Sequence, residues 1–227
     1  MKLKSLLIPT AFLFASLAPL AAEDAGNLLL SLRTDSVENI EKADGTVIGE
    51  IAFAEDGEGK ALSITQPGSV VKIPFSHFHE MSEGTISMSV QPEVDLASLT
   101  HPDDPHLYLL HAYGDQQRYL SIYYNVNNRT IGMAVMNRRE PTAYSQARVE
   151  WKAGERHHLV CTWTPESLSV HADGILLSVI AWSDGMPDGI SEIAIGSTVW
   201  GRNPARMAIG EVRISDKAVR MEGASEW

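Results

Sequence analysis

Cysteine is almost absent from this 227-residue sequence, in which Cys161 is the only one. A single thiol excludes an internal disulfide, so the fold must be stabilised by its hydrophobic core or by a bound ion. Positive charge is also scarce, with 18 lysines and arginines against 29 aspartates and glutamates and a formal net charge of -11. Because an acidic surface repels phosphate backbones and anionic headgroups, we expect neither nucleic acid nor a membrane surface as a partner.

Long apolar runs are missing except at the start of the chain, where residues 5–17 follow Lys2 and Lys4 and precede a short stretch of small residues. This order predicts a secretory signal peptide over residues 1–22. The run is shorter than the roughly 20 residues that a membrane-spanning helix needs, and Pro9 interrupts it. We therefore expect one mature domain over residues 23–227, secreted or placed in the periplasm or cell envelope, without membrane insertion.

Helical periodicity is missing as well, and the apolar residues recur instead at period two in short runs rich in Val, Ile, Thr and aromatic residues. Turn residues separate these runs, as in Asn125–Asn128 and Ala172–Gly174. The pattern predicts an all-β fold of two packed antiparallel sheets. The predicted strands are Leu28–Leu32, Val47–Ala54, Ala61–Ile64, Val70–Ile73, Thr85–Gln91, Leu107–Ala112, Tyr119–Tyr124, Thr130–Met136, Ala147–Trp151, His157–Thr164, Ser167–His171, Ile175–Ile180, Glu192–Ile195 and Ala208–Ile214.

Several short segments occur in an order that resembles the laminin-G-like domains of the concanavalin A-like lectin/glucanase superfamily. They are Gly84–Val90, Trp151–Trp163, Val170–Gly174, Ile193–Gly196 and Ile209–Ser215. The resemblance covers roughly residues 27 to 220 and implies a jelly-roll sandwich, often with a ligand groove on the concave sheet or at its rim. In such a fold we expect Trp151, Trp163, His157, His158 and Cys161 to be packing residues first, with one imidazole hydrogen-bonded inside.

Catalytic signatures are incomplete. Glycoside hydrolases of this superfamily need two carboxylates on one strand face, typically as Glu-x-Asp-x-Glu, and the partial match at Glu93–Asp95 lacks the third acid. No nucleophile elbow, phosphate-binding glycine loop or zinc-type pair of Cys and His occurs. We therefore assign no catalytic residue and expect a non-catalytic module, although a polysaccharide lyase site in a groove near His111 stays open.

No cofactor is expected, but calcium is an open question. Similar domains often hold Ca²⁺ through an aspartate in a segment like Ile-Asp-Glu-Val-Arg-Ile, and this sequence has Gly210 at that position. Two acidic loops, Glu55–Glu58 and His101–His106, are alternative ion sites or solvated turns. The sequence leaves the metal ligands unknown.

Binding of a glycan or of an extracellular protein is the leading functional hypothesis. Aromatic faces and arginine forks suit sugar recognition, and the candidate ligand-binding residues are Tyr113, Arg118, Tyr123, Trp200 and Arg202. Trp200 is included because it stands in a polar loop. Two alternatives stay open: a carbohydrate-active enzyme, either a glycoside hydrolase or a polysaccharide lyase, and a structural component of a cell-envelope assembly. The oligomeric state is not determined by the sequence.

Overall fold

The computed structural model describes residues 26–100, 104–138 and 142–219. The predicted signal peptide lies outside these residues. The described residues form one α-helix, α1 (Val37–Lys42), two 3-10 turns (Phe78–Glu80 and Leu96–Ser98) and fifteen strands. The strands are β1 (Leu28–Leu32), β2 (Thr46–Ile48), β3 (Ala52–Glu55), β4 (Lys60–Ser63), β5 (Val70–Pro74), β6 (Gly84–Pro92), β7 (His106–Asp115), β8 (Arg118–Asn125), β9 (Thr130–Asn137), β10 (Ala143–Arg148), β11 (His157–Trp163), β12 (Ser167–Ala172), β13 (Ile175–Ala181), β14 (Glu192–Ile195) and β15 (Met207–Ser215).

The strands form two antiparallel sheets that pack face to face. One sheet has eight strands in the order β13-β12-β11-β6-β15-β4-β3, with β1 also paired to β15. The other has seven strands in the order β10-β9-β8-β7-β14-β5-β2. The predicted all-β two-sheet antiparallel sandwich is therefore confirmed. Among the described residues no helix is long and apolar enough to cross a membrane.

Alternation along β11 shows how the core is built. Leu159, Cys161 and Trp163 point inward and are at most 1% exposed. The ring of Trp163 lies 6.1 Å from that of Phe78, and Gly84 makes room for it, because a Cβ at residue 84 would overlap the indole. The predicted packing roles of Cys161 and Trp163 are confirmed.

The two adjacent histidines of β11 differ from each other. His157 stacks on Trp151, with ring centroids 4.0 Å apart, and its Nδ1 lies 2.8 Å from the Asp173 carboxylate. This is the hydrogen-bonded structural histidine that the sequence predicts. His158, in contrast, is exposed, so its predicted packing role is wrong: it follows His157 by one residue and points to the opposite face of the strand.

Two predicted strands are misplaced. The apolar run Val47–Ala54 is broken after β2, where Gly49 has φ +77°. Strand β2 pairs with β5 in one sheet and β3 pairs with β4 in the other, so the chain crosses between sheets within this run. The strand predicted at Ala147–Trp151 begins earlier, as β10, because it is the segment starting at Ala143 that pairs with β9.

Helix α1 is absent from the sequence prediction. It has only six residues, too few to show a periodic apolar stripe, and Ile40 is its buried residue. Its N-terminus carries a recognisable signal, because the Ser36 hydroxyl accepts a hydrogen bond from the Asn39 amide at 3.2 Å.

Candidate functional site

Aromatic side chains cover the outer face of the seven-stranded sheet. Five of the six tyrosines of the chain stand there, and only Tyr124 points inward, where its hydroxyl donates to the Leu96 carbonyl. A register shift in β7 between Tyr108 and Leu110 lets Tyr108 and His111 share this face although they are three residues apart. We call this surface the aromatic face. Its aromatic members are Tyr108, Tyr113, Tyr119, Tyr123, Tyr144, His106, His111 and Trp200.

The rings of the aromatic face contact one another in a continuous series. At one end Trp200 meets Tyr113 edge to face, with centroids 4.6 Å apart, and His111 lies 5.6 Å from Tyr113 and 5.8 Å from Trp200. At the other end Tyr144 packs on Tyr123 at 6.5 Å. Trp200 is 56% exposed and Tyr144 is 45% exposed. The two ends of the series are therefore the rings most open to a ligand.

Backbone hydrogen bonds fix the loop that carries Trp200. The Gly201 amide donates to the Thr198 carbonyl at 2.8 Å, and the Gly68 amide donates to the Gly201 carbonyl at 2.7 Å. The Arg202 amide donates to the Thr198 hydroxyl at 3.0 Å. Gly201 has φ +70°, and a Cβ there would press against the Gly68 backbone, so glycine is required at this turn. Trp200 thus projects into solvent from a well-anchored turn.

His111 connects that loop to the sheet. Its side chain is buried, and its Nδ1 accepts a hydrogen bond from the Val199 amide at 3.3 Å. Burial lowers the pKa of His111 from 6.5 to about 4. The imidazole is therefore neutral at neutral pH, with its proton on Nε2, because Nδ1 must act as an acceptor.

Arg118, at the start of β8, is held by two carboxylates. Its Nε donates to Asp115 at 2.8 Å and its Nη1 donates to Asp188 at 3.0 Å. Asp188 also pairs with Arg138. Hydrogen bonds from Arg118 lower the pKa of both Asp115 and Asp188. Both carboxyls are ionised at neutral pH, so this pair does not provide the protonated acid that glycoside hydrolysis needs.

The structure brings some of the predicted ligand-binding residues together and separates others. Tyr113 and Trp200 are in direct contact, and Arg202 is exposed in the same loop as Trp200. Tyr123 is only 1% exposed and supports the face from within, because its hydroxyl donates to Gln146 Oε1 at 3.0 Å. Arg118 lies at the margin with its guanidinium already paired.

Three tyrosines of the aromatic face, as well as His106, are absent from the predicted ligand-binding residues. Tyr108 and Tyr119 lie at strand positions whose spacing from Tyr113 and Tyr123 could have indicated a shared face. Tyr144 belongs to β10, and the displaced strand prediction left it in a loop. Correct placement of β10 would have aligned its tyrosine with the others.

The described acidic residues of the segments considered for catalysis or calcium have other partners, whereas residues 101–103 of the second candidate loop lie outside the described residues. Glu93 accepts from the Ser63 hydroxyl, and Asp95 accepts from the Ala153 amide at 2.9 Å. Asp56 is buried against Arg156, with Oδ2 and Nε 3.5 Å apart. A Cβ at Gly210 would overlap the Ser89 hydroxyl and lie 3.1 Å from the Asp56 carboxylate, so an aspartate there would require Ser89 to move. In the described ranges no cluster of three or more His, Cys, Asp or Glu side chains is placed to hold a metal ion.

By its fold, the protein is an all-β sandwich of two antiparallel sheets. No family model and no curated protein matches the chain. Solved structures do match. Domain 4 of AbnA, an extracellular GH43 arabinanase from Geobacillus stearothermophilus in complex with arabinotriose, is 18% identical with a TM-score of 0.66, over 87% of this chain and 96% of that one.

Toxin domains share the fold too. The binding domain of botulinum neurotoxin DC in complex with SialylT is 10% identical with a TM-score of 0.66, over 86% of this chain. The same domain in complex with rat synaptotagmin II is 11% identical with a TM-score of 0.64, also over 86%. This chain spans about half of those toxin chains, 49% in each case. At these identities the likeness shows the fold, and membership of the laminin-G-like family stays a prediction.

Proposed function

We propose that this protein is an exported, non-catalytic module that binds a glycan on its aromatic face. The observation that carries the proposal is the contact between Trp200 and Tyr113, which presents a half-exposed indole on an anchored turn. Export rests on the predicted signal peptide.

An exposed aromatic ring held in place matches the chemistry of sugar recognition. The apolar C–H face of a sugar ring packs on an aromatic face, while hydroxyl groups at its edge exchange hydrogen bonds with polar side chains. The loop of Trp200 is fixed before ligand arrives, so little ordering entropy is lost on binding. Arg202, exposed in the same loop, is a donor within this site.

The structural neighbours support a glycan over other ligands, since arabinotriose occupies the arabinanase domain and SialylT occupies the toxin domain. A protein ligand is the second candidate. Exposed tryptophan and tyrosine are enriched in protein interfaces, and one neighbour was solved with rat synaptotagmin II.

A glycan array followed by calorimetry tests the proposal. We expect specific retention of at least one glycan class. We expect Trp200→Ala to weaken that binding about fivefold or more, because truncating an aromatic hot spot costs over about 1 kcal/mol. Val179→Ala is the matched control, since Val179 is 55% exposed on the edge strand of the other sheet. Absence of any retained glycan, or equal losses in both variants, would refute a glycan site at Trp200.

A further inference from the structure

We propose that the aromatic face takes a linear, uncharged oligosaccharide that lies across the strands from Trp200 to Tyr144. This inference rests on the proposed function and adds a second contact region, centred on Tyr144, to the one at Trp200. It also names the ligand class, which is a chain of neutral sugars rather than a single terminal sugar.

Strand register places the two exposed rings on one line. Tyr144 of β10 is paired with Ala134 of β9, Ala134 with Ser121 of β8, and Ser121 with His111 of β7. Trp200 lies beside His111. Neighbouring strands are about 4.8 Å apart, so three strand intervals separate Tyr144 from His111 by roughly 14 Å. That span is wider than one sugar ring, so only a chain reaches both exposed aromatics.

The surface between the two ends is suited to a chain. Ser121 and Ala134 are small, and each is only 3% exposed on the outer face of the sheet, so the ligand contacts the larger rings beside them. Tyr119 is half-buried beside the row, and its hydroxyl is 2.9 Å from that of Thr142. Between the two exposed ends the ligand therefore meets the half-buried rings of Tyr108, Tyr113 and Tyr119.

Tyr144 is held in place by its neighbours. Its ring packs edge to face on Tyr123, whose hydroxyl donates to Gln146 Oε1. The same oxygen accepts from the Thr130 hydroxyl at 2.9 Å. Both bonds use the amide oxygen of Gln146, so its amide nitrogen is the group that can donate to a sugar hydroxyl. Tyr144 therefore offers an aromatic ring and Gln146 a hydrogen-bond donor, as Trp200 and Arg202 do at the other end.

Charge along the row favours a neutral ligand. The residues of the row are Tyr144, Ala134, Ser121 and His111, and burial keeps His111 uncharged at neutral pH. Arg118 is committed to Asp115 and Asp188. Arg202 is exposed at the Trp200 end, outside the row, and its guanidinium can donate to the hydroxyl groups of a neutral sugar. The chain as a whole carries a net charge of -11, which disfavours a polyanionic ligand.

The test is an array of neutral oligosaccharides with arabinan, xylan, mannan and β-glucan backbones, each as mono-, tri- and hexasaccharide, printed beside sialylated and uronic-acid glycans. The wild-type protein, Tyr144→Ala and Tyr144→Phe are compared after their thermal unfolding shows that they are folded. We expect the hexasaccharide of the recognised backbone to bind about tenfold more tightly than the trisaccharide, since it reaches both ends. Tyr144→Ala should lower hexasaccharide affinity to the trisaccharide level, and Tyr144→Phe should keep it.

The outcomes separate the two proposals. Equal affinity for trisaccharide and hexasaccharide, or unchanged hexasaccharide affinity in Tyr144→Ala, overturns the extended site and leaves glycan binding at Trp200 intact. Preference for sialylated or uronic-acid glycans printed on the same array overturns the neutral ligand class. Failure to retain any glycan contradicts the proposed function itself.

Discussion

The ionisation of His111 is one of the links between the stability of the protein and pH. Its folded-state pKa is about 4, below the ordinary 6.5, because burial disfavours the charged form. The unfolded chain therefore takes up the proton first as pH falls. The contribution of neutral His111 to the free energy of unfolding is complete above pH 6.5 and is lost as pH falls toward 4. Once the residue is protonated in both states, the loss amounts to roughly 3 kcal/mol.

We predict that His111→Asn makes the dependence of the free energy of unfolding on pH less steep between 6.5 and 4, measured by urea denaturation. Asparagine keeps an acceptor for the Val199 amide but does not titrate. The titratable rings that contact His111 are Tyr108 and Tyr113, which stay neutral in this range. His79→Asn, at an exposed histidine, is the control. If the free energy of unfolding of His111→Asn depends on pH as steeply as that of the wild type, the buried neutral imidazole does not contribute to this dependence.

Neutral His111 also predicts how ligand binding depends on pH. As its protonated form cannot accept the Val199 hydrogen bond, acid releases the Trp200 loop. We expect glycan affinity to be steady from pH 8 to about 6 and to fall steeply only as pH nears 4. Calorimetric titrations of the glycan between pH 8 and pH 4 measure this dependence. A midpoint near 6.5 in the folded protein would contradict this account.

At the scale of elements, the contact between β9 and β10 supports one end of the site. Gly132 of β9 faces Gln146 of β10, and a Cβ at residue 132 would lie 2.5 Å from the Ser145 carbonyl oxygen and 2.6 Å from the Gln146 Cβ. We predict that Gly132→Ala pushes β10 away, lowers the free energy of unfolding by about 1 to 3 kcal/mol, and weakens binding at Tyr144. Urea denaturation and the oligosaccharide series measure both effects.

The matched control for Gly132→Ala is Ala181→Ser, because Ala181 is exposed on edge strand β13 of the other sheet. Its stability and affinity should equal those of the wild type. A Gly132→Ala protein that is as stable as the wild type would mean that β10 does not depend on the close approach at this position.

Period-two alternation was sufficient to predict most strands, since β1 and β14 match their predicted bounds and β7, β8 and β9 differ by only a few residues. The predictions failed where a strand is defined by its partner. Apolar alternation continues through Val47–Ala54 although the chain changes sheets at Gly49, and β10 is positioned by pairing with β9. The residues of a strand do not indicate which other strand it pairs with, so the local sequence could not predict these bounds.

The candidate site was predictable only in part for the same reason. Trp200 is exposed, as its polar loop suggests, and Tyr113 lies beside it. The burial of Tyr123 depends on Tyr144 and His106, which come from other strands. The neutralisation of Arg118 depends on Asp188, 70 residues away in the chain. Such contacts follow from the tertiary fold and are invisible in spacing.

For the molecule as a whole, Cys161 reports on the unfolding of the core. The thiol is fully buried, and burial raises its pKa, so the reactive thiolate is suppressed in the folded state. We predict that Ellman's reagent does not label the native protein and that labelling in urea follows the unfolding transition seen by circular dichroism. Rapid labelling without denaturant would show that the sandwich opens locally at β11.

The most direct test of the central claim is a crystal structure of the protein with the glycan that the array selects. We predict that the sugar lies against Trp200 and Tyr113 and extends across the seven-stranded sheet toward Tyr144. A glycan bound on the outer face of the eight-stranded sheet, or at the sandwich edge near Asp56, with no contact to the aromatic face would contradict the account.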